Sequence, residues 1–557
     1  MFEKLTDSCC NHSRRSATRF YAFLAILIIT TLACSRADAP INYGNITPLA
    51  GANSPVEGAA TPAPGGPTAT LVPASPPVPG VPTATLRPTQ DTSASPTPDA
   101  LRPSALDRTQ VEQYTIQPGD TLNDIGERYG VTAAQIADAN GIQVADTLRV
   151  GQVLRIPLPE DSARGPDVKL LPDSEFVFGP GAVTFNIHAF VESQHGYLAA
   201  YTEDIPGYYS FLVDDASSST LTGSEIVQLV AQRYSINPRL LLAVLEYQSG
   251  WVTQRHPGDN TLAYPLRQVE PTREGLYRQL TWTANELNRG YYAWRAEWMA
   301  SFGFADGSIK IISPGLNAGT VGVEHFFSKV LGPDEWMHAV SPAGFARTSQ
   351  ALFGNPFTVA FEPLVPPDLI QLPLSLPFES GKVWAFTGGP HGAWDAGAAW
   401  AALDFAPPGE QEGCAPTDEW VTAAAPGLVV RSEHGAVVED LDGDGDEGTG
   451  WVLFYLHMDA RDRVEAGARL AAGDPIGHPS CEGGVAIARH VHFARKYDGE
   501  WIAADGPVPF VLDGWVSAGL GQEYDGRLTN GDQSIEACDC RAETNQISRP
   551  PEGDLRP

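Results

Sequence analysis

Histidines are concentrated in one stretch of this 557-residue chain, and their spacing is typical of a metal site or an acid–base site. Six of the twelve histidines lie between His391 and His492. His490 and His492 are two residues apart in a strand-like segment, so their side chains point to the same face. Two imidazoles placed in this way can converge on one metal ion or one water molecule. His457 ends a second apolar strand-like run, and Asp404 lies within a third.

The elements that must position these side chains are short β-strands. Between residues 382 and 515, alternating apolar segments are bounded by glycine and proline, as at 464–467 and 473–477. This pattern over such a length predicts an all-β domain. We place the domain at residues 371–530 and a tail at residues 531–557.

Taken together, these segments resemble the lysostaphin/LytM-type zinc peptidases. The resemblance rests on an ordered series of motifs: Leu403-Asp404-Phe-Ala-x-Pro-Gly409, Ala423-x-x-Pro-Gly427-x-Val429, Tyr455-x-His457, Val464-x-x-Gly467, Gly473-x-x-Ile-Gly477 and His490-x-His492-Phe. It implies a β-sandwich with an open groove. It also implies a zinc ion and cleavage of peptide bonds in peptidoglycan cross-links or stems.

The same resemblance implies a role for individual residues. Asp404 and His492 correspond to zinc ligands of the family. His457 and His490 correspond to the residues that position and deprotonate the attacking water and stabilise the oxyanion. Three protein ligands would leave zinc one coordination position for water.

The third ligand departs from the family's usual spacing. The family's other histidine usually lies four residues before the aspartate, where this chain has Trp400. Some family members place that histidine before a longer loop, so His391 is the predicted third ligand and residues 392–399 are expected to bulge outwards. The alternative is a degenerate, non-catalytic domain that binds peptidoglycan or activates other wall hydrolases.

A small unit at residues 111–158 has the order strand–helix–helix–strand. Apolar residues follow strand spacing at both ends and helical spacing between them. The unit resembles a LysM domain in Tyr114-Thr-Ile-Gln-Pro-Gly-Asp-Thr-Leu122, Ile125, Ile136, Asn140 and Leu154-Arg-Ile-Pro157. The resemblance implies binding to glycans that contain N-acetylglucosamine, such as those of peptidoglycan.

The middle region, residues 165–370, is predicted to be mostly α-helical. Strand-like alternation, as at Val183–Val191, gives way to helical spacing after Thr222. A Pro at the first helical position then precedes a Leu-rich run that ends in Glu246-Tyr-Gln248-Ser-Gly. This run resembles the catalytic helix of lysozyme-like transglycosylases, which implies a lysozyme-like domain.

The catalytic residue of that domain is in question. The position of the family's glutamate holds Gln248, which cannot donate a proton to a glycosidic oxygen. Glu246 lies two residues earlier, roughly 200° around the helix. Three interpretations stay open: a non-cleaving glycan-binding relative, glycan cleavage through Glu246 in a shifted geometry, or a structural domain of unrelated ancestry.

The first residues of the chain are expected to direct export. Basic residues precede an apolar run at 21–33, which is too short to span a bilayer comfortably and ends at Cys34. This resembles a bacterial lipoprotein signal and implies residues 1–34 as signal, lipid on Cys34 and attachment to the membrane of the cell envelope. An ordinary export signal is the alternative. Residues 35–110, rich in Pro, Thr and Ser, are expected to form an extended linker.

The seven cysteines are consistent with export. Loss of the signal and lipidation of Cys34 would leave four, an even number that suits disulfides in an oxidising compartment. These four are Cys414, Cys481, Cys538 and Cys540. Four cysteines allow three pairings. We favour Cys414 with Cys481, since both flank the histidine segment, and a local pair between the other two.

The acidic residues exclude some partners and suggest one further ion. A net charge of −31 argues against nucleic acid and against an electrostatic membrane-surface helix. Asp440, Asp442 and Asp444 resemble the start of a calcium loop, although its twelfth position holds Trp451 instead of glutamate. A solvated acidic turn is the alternative to Ca²⁺ binding.

The sequence therefore predicts an exported, lipid-anchored cell-wall hydrolase with a LysM domain for wall binding and a C-terminal zinc endopeptidase domain. A non-catalytic wall-binding protein is the main alternative. A bifunctional enzyme that also cleaves glycan strands is another.

Overall fold

A computed structural model describes residues 102–160, 164–206, 218–409 and 413–550. Cys34, the expected signal and nearly all of the expected linker lie outside the described residues. In the described part of the chain, no helix combines the length and apolar character needed to cross a membrane. Three units follow one another: a small βααβ unit, a helical middle region and a β-rich C-terminal region.

The first unit has the expected strand–helix–helix–strand order. Its elements are β1 (Glu112–Thr115), α1 (Leu122–Tyr129), α2 (Ala133–Asn140) and β2 (Val153–Ile156), and the two strands pair antiparallel. Thr121 and Thr132 begin the helices, because each side chain accepts a hydrogen bond from a backbone N–H of the first turn. Ile125, Ile136 and Leu154 are fully buried between the helices and the strands.

The middle region contains seven helices among its described residues and two short antiparallel strand pairs. The helices are α3 (Ile187–Gln194), α4 (Gly223–Tyr234), α5 (Pro238–Ser249), α6 (Leu276–Arg295), α7 (Ala318–Val330), α8 (Pro333–Ala339) and α9 (Phe345–Phe353). The strands are β3 (Thr202–Pro206) with β4 (Ser218–Thr222), and β5 (Ser301–Gly303) with β6 (Ile309–Ile311). The expectation of a mainly helical middle region is confirmed.

One local prediction in this region is wrong. The strand expected at Val183–Val191 is replaced by α3 from Ile187 onwards. Asn186 caps the helix by accepting a hydrogen bond from the backbone N–H of Ala189 at 2.9 Å. Ile187 and Val191 are both buried and lie four residues apart, so the same apolar residues satisfy a helical period.

The C-terminal region is formed by fifteen strands in its described part. They are β7 (Val383–His391), β8 (Ala402–Ala406), β9 (Val421–Thr422), β10 (Gly427–Glu433), β11 (Ala436–Asp440), β12 (Trp451–Leu456), β13 (Arg469–Leu470), β14 (Pro475–Gly477), β15 (Val491–Tyr497), β16 (Glu500–Trp501), β17 (Val511–Leu512), β18 (Trp515–Gly519), β19 (Gly526–Asn530), β20 (Gln533–Glu536) and β21 (Gln546–Ser548).

These strands form one large antiparallel sheet and two smaller ones. The nine-stranded sheet has the order β13-β10-β11-β12-β15-β8-β7-β21, with β16 paired to β15. A four-stranded sheet has the order β17-β18-β19-β20, and β9 pairs with β14. The expected tail at 531–557 contributes β20 and β21 to these sheets, so the β-rich region extends past residue 530 to at least residue 548.

Both faces of the large sheet are buried at its centre. Along β12, every residue from Trp451 to Leu456 is buried. Leu453 and Tyr455 face a core internal to the C-terminal region, whereas Val452 and Phe454 belong to the core of the middle region. One face of the sheet therefore shares a hydrophobic core with the middle region, and the other face packs on a separate core within the C-terminal region.

An ion pair between a partly buried guanidinium and a buried carboxylate joins the same two regions. The Arg295 guanidinium at the end of α6 donates from Nε to Glu500 Oε1 at 2.9 Å, and Tyr291 donates its hydroxyl to Glu500 Oε2 at 3.1 Å. The backbone N–H of Trp501 donates to the hydroxyl of Tyr292 at 3.1 Å. Charged hydrogen bonds buried in this way fix the orientation of the sheet on the helices.

Glu439 on β11 is a second buried carboxyl group, and only one hydrogen bond to it offsets the cost of its burial. Its Oε2 accepts a hydrogen bond from the hydroxyl of Tyr455 at 2.8 Å, and its Oε1 is buried without a partner in the described part of the chain. Burial raises the pKa of Glu439 to about 8, and the charges of Asp440 and Asp474 act in the same direction. Glu439 is therefore protonated in the folded protein at neutral pH.

This raised pKa makes stability depend on pH. Above about pH 5 the unfolded chain has released the Glu439 proton, while the folded protein retains it up to about pH 8. Folding then requires proton uptake, so the free energy of unfolding falls as pH rises across this window. We expect Glu439→Gln to gain stability relative to the wild-type protein between pH 5 and pH 8, as measured by urea unfolding at each pH.

The matched control is Glu465→Gln, which removes the same charge from an exposed position of the same region. The stability difference between that variant and the wild-type protein should change much less over this pH range. Equal pH dependence of the two variants would show that Glu439 does not carry the effect.

Candidate metal and catalytic site

Strand register brings the predicted site residues to one end of the large sheet. In the antiparallel pair of β15 and β8, His492 lies directly opposite Asp404. On the other side of β15, Leu456 lies opposite His492, and His457 follows it. In the pair of β7 and β8, His391 lies opposite Ala402, at the point where both strands leave the sheet.

Three donor atoms converge at this point. Nε2 of His391 lies 3.2 Å from Oδ1 of Asp404, and Nδ1 of His492 lies 3.3 Å from the same oxygen. The two imidazole nitrogens lie 2.9 Å apart. A tetrahedral zinc with ligands at about 2.0–2.1 Å separates its donor atoms by about 3.3 Å. The observed distances are close to that value.

Backbone carbonyls hold both imidazoles in the orientation that a metal needs. Nδ1 of His391 donates to the carbonyl of Gly389 at 2.8 Å, and Nε2 of His492 donates to the carbonyl of Ala393 at 3.0 Å. Each ring then presents its other nitrogen, with a lone pair, to Asp404. Ligand histidines in metalloproteins are commonly fixed in this manner.

The surroundings of Asp404 also favour a cation. The residue is 7% exposed, and its Oδ1 is buried without a hydrogen-bond donor of good geometry among the described residues. Burial alone would raise the pKa of Asp404, but His391 and His490, when they are protonated, hold it well below its usual range. A buried anionic oxygen that faces two imidazole nitrogens is a donor set that fits zinc.

Glycine at position 388 leaves room for this carboxylate. Gly388 lies opposite Asp404 in the pair of β7 and β8, and a Cβ at this position would lie 2.7 Å from Oδ2 of Asp404. A larger residue would therefore displace the carboxylate from its position.

His457 and His490 lie beside the three-donor cluster. Their ring centroids are 4.5 Å apart, and Nε2 of His490 lies 3.7 Å from Oδ1 of Asp404. Nδ1 of His457 donates to the carbonyl of Glu482 at 2.9 Å, and Nδ1 of His490 donates to the carbonyl of Ala488 at 2.8 Å. The Nε2 atoms are therefore the ones that remain for substrate or water.

The imidazole of His457 is held neutral. Burial lowers the pKa of His457 well below its usual range, and the neighbouring His490 and His492 lower it further. The backbone of His457 has a φ of 65°, in the left-handed region that non-glycine residues seldom adopt. Ser480 fixes this conformation by donating from its N–H and its hydroxyl to the carbonyl of His457. Such local strain is often found at functional positions.

Cys414 and Cys481 are joined by a disulfide at the edge of the site. Cys481 directly precedes Glu482, whose carbonyl orients His457. Cys538 and Cys540 form a second disulfide. The pairing we favoured from the sequence is the one in the structure.

One neighbour of the site was missed in the sequence. The ring of Tyr524 stacks on His391 with centroids 4.2 Å apart and an angle of 19°. Tyr524 lies in the loop between β18 and β19, and Gln522 in that loop donates to the side-chain carbonyl of Gln117 in the first unit at 2.6 Å. Tyr524 belongs to no motif of the chain, so only the folded structure reveals its position.

Two other residues considered in the sequence lie away from the cluster. Glu246 accepts hydrogen bonds from the backbone N–H groups of Val252 and Thr253, both at 3.0 Å, and from the Thr253 hydroxyl at 2.6 Å. Its carboxylate thus closes the turn after α5, and a catalytic role stays a prediction. Trp400 packs against Trp298 of the middle region, with ring centroids 4.5 Å apart.

The acidic turn after β11 holds its carboxylates close together. Asp440, Asp442 and Asp444 offer oxygen atoms within 4.8 Å of one another. The carboxylate of Asp440 accepts hydrogen bonds from the backbone N–H groups of Asp442, Gly443 and Gly445. The turn is thus held by its own hydrogen bonds, and Ca²⁺ binding stays a prediction.

Comparison with known proteins identifies two of the three units. The family model described as the LysM domain matches residues 114–157, and that of the LasA N-terminal domain matches residues 169–367. The chain carries a LysM domain and a LasA N-terminal domain. The expected LysM domain is confirmed. A lysozyme-like fold of the middle region stays a prediction.

Similarity to individual proteins covers different parts of the chain. Protease LasA of Pseudomonas aeruginosa is 26% identical over 314 residues, which cover 51% of this chain and 68% of the relative. Among solved structures, the deep-sea M23 metalloprotease pseudoalterin is 21% identical with a TM-score of 0.26, covering 30% of this chain and 96% of that one. The lysostaphin catalytic domain of Staphylococcus simulans is 21% identical with a TM-score of 0.16, covering 22% and 88%.

The Cys414–Cys481 disulfide should stabilise the site region. It links residues 67 positions apart, so it restricts the unfolded chain strongly. We expect the double variant Cys414→Ser/Cys481→Ser to lose about 2–4 kcal/mol in the free energy of unfolding, measured with urea. The control is Cys538→Ser/Cys540→Ser, which opens a loop of only two positions and should lose much less. Equal losses would contradict this account.

Proposed function

We propose that this protein is a zinc-dependent endopeptidase that cleaves peptide bonds in peptidoglycan cross-links or stems and is held at the wall by its LysM domain. The single observation that carries the proposal is the convergence of His391, Asp404 and His492 on one point beside His457 and His490. The 26% identical relative named a protease supports a peptidase, and the LysM domain supports peptidoglycan as the substrate.

Each residue of the site has a defined task in this proposal. Asp404, His391 and His492 would hold zinc, which when bound would polarise the scissile carbonyl and make a water molecule easier to deprotonate. His457 is neutral, so its Nε2 accepts the proton of the attacking water. The proton taken up by His457 would pass to the leaving amine, and His490, when protonated, would donate a hydrogen bond from Nε2 to the carbonyl oxygen as negative charge develops on it.

The proposal extends to location and to the finer predictions. Export to the cell envelope and lipidation of Cys34 rest on the basic and apolar N-terminal residues. A lysozyme-like activity through Glu246 and a calcium ion at Asp440, Asp442 and Asp444 are further proposals from the sequence.

Substitutions should separate zinc ligands from catalytic residues. We expect His391→Ala, Asp404→Ala and His492→Ala to lose zinc and peptidase activity together, because each removes one of three donor atoms. We expect His457→Ala and His490→Ala to retain zinc while activity falls by about 10²–10⁴-fold, the usual contribution of general acid–base catalysis. Zinc content is measured by atomic emission and activity by release of muropeptides from purified walls.

The control for these variants is His478→Gln. His478 is buried in the same region, but its Nδ1 donates to the carbonyl of Glu419 at 2.9 Å and its ring packs on Trp420. It should retain both zinc and activity. A wild-type protein that holds no zinc and releases no peptides would favour the non-catalytic wall-binding alternative.

The LysM domain should bind wall glycan in the intact protein. We expect the full chain with His490→Ala, which should cleave the wall far more slowly than the wild-type protein, to sediment with purified peptidoglycan. Soluble N-acetylglucosamine oligomers should release it by competition, while galactose oligomers should not. Sedimentation that is insensitive to both sugars would place wall binding outside the LysM domain.

A further inference from the structure

The connection between His391 and Asp404 lies between the two large regions of the molecule. Residues 392–401 leave the sheet after β7 and pack on helices α4 and α6 of the middle region. Ala393, Ala398 and Ala401 are buried there together with Trp394, which is 5% exposed. We name residues 392–401 the ligand loop, because it begins directly after His391.

Two side chains of the middle region bind this loop directly. Oδ1 of Asn285 on α6 accepts a hydrogen bond from the backbone N–H of Gly397 at 2.7 Å. The hydroxyl of Tyr234, the last residue of α4, donates to Oδ2 of Asp395 at 2.9 Å. Asp395 has a φ of 62°, which non-glycine residues seldom adopt, and the hydrogen bond from Tyr234 helps to hold it in this conformation.

The contact is also tight in its packing. A Cβ at Gly397 would lie 2.1 Å from the backbone carbonyl oxygen of Asn285, so only glycine allows the loop to approach α6 this closely. The ring of Trp394 meets that of Tyr234 edge to face, with centroids 6.4 Å apart, and Phe454 of the sheet at 6.0 Å.

The ligand loop in turn orients a zinc ligand. The carbonyl of Ala393 accepts the Nε2–H of His492 at 3.0 Å, and this bond turns Nδ1 of the ring towards Asp404. The backbone N–H of Ala393 donates to the carbonyl of Ala399 at 3.0 Å, so the position of that carbonyl depends on the fold of the whole loop.

We propose that the middle region completes the metal site through this loop, with Asn285 and Tyr234 as positioning residues for His492. The chain of contacts runs from the helices to the loop, from the Ala393 carbonyl to the imidazole, and from the imidazole to the metal. This inference rests on the proposed function, because it concerns the zinc held by His391, Asp404 and His492.

The test measures zinc affinity, which does not depend on turnover. The full-length protein is titrated with zinc in competition with a chromogenic chelator, and its melting temperature is recorded with and without zinc. We expect Asn285→Ala and Gly397→Ala to bind zinc about tenfold more weakly, as loss of an outer partner of a ligand usually does. Zinc should then raise their melting temperature less than it raises that of the wild-type protein.

Conservative variants distinguish positioning from a loss of fold. Asn285→Asp retains an oxygen that accepts the Gly397 N–H, so it should restore the affinity that Asn285→Ala loses. Tyr234→Phe removes one hydroxyl and keeps the ring in the core, and we expect a measurable decrease in zinc affinity. Its control is Tyr201→Phe, which breaks a similar hydrogen bond to Glu203, 2.9 Å long, away from the ligand loop. Gly332→Ala, at a glycine with nothing within 4 Å of its Cβ position, is the control for Gly397→Ala.

The outcomes separate the two proposals. If the wild-type protein binds no zinc at His391, Asp404 and His492, the proposed function fails. If the wild-type protein binds zinc and the Asn285, Gly397 and Tyr234 variants bind it as tightly as their controls do, the positioning role is overturned and the proposed function stands. Weaker binding in these variants, with rescue by Asn285→Asp, supports the role of the middle region.

Discussion

The carboxylate of Asp404 is buried at the end of a sheet, and three imidazole nitrogens lie within 3.7 Å of its Oδ1. An isolated buried carboxylate is very costly, so its charge has to be compensated nearby. Two of these imidazoles, those of His391 and His492, turn their donor nitrogens towards it because backbone carbonyls hold the opposite nitrogens. Gly388 leaves room for the carboxylate. One divalent cation would compensate its negative charge and be bound by both imidazole nitrogens as well.

The sheet that carries this carboxylate depends on the middle region. The face that carries Val452 and Phe454 packs on helices of the middle region and is not exposed to solvent. Glu500 on β16 forms an ion pair with Arg295 of α6. An antiparallel sheet with one solvated face would show alternation of apolar and polar residues. Here β12 is apolar throughout, as expected for a strand with two buried faces, and the C-terminal region is not an independent body.

Motifs predicted the residues that lie together in the candidate site, and folding supplied their environment. The spacing of His490 and His492 indicates a shared face, and family resemblance identified Asp404 and His457. No sequence pattern predicts the hydrogen bond between the Ala393 carbonyl and His492 or the stacking of Tyr524 on His391. Each contact joins segments that are far apart in the sequence and share no motif. The wrong strand before α3 has a similar cause: Ile187 and Val191 fit periods of both 2 and 3.6, and the Asn186 cap decides between them.

The ligand loop, residues 392–401, both packs on the middle region and orients His492. Because His391 pairs with Ala402 across β7 and β8, the loop leaves and re-enters the sheet at neighbouring positions. Doubling the length of a loop costs only about 0.6 kcal/mol in closure entropy. Burying a large apolar side chain such as Trp394 contributes about 1.5–3 kcal/mol, which exceeds that cost. Packing on the middle region therefore stabilises the ligand loop. As a consequence it also positions the Ala393 carbonyl, which orients His492.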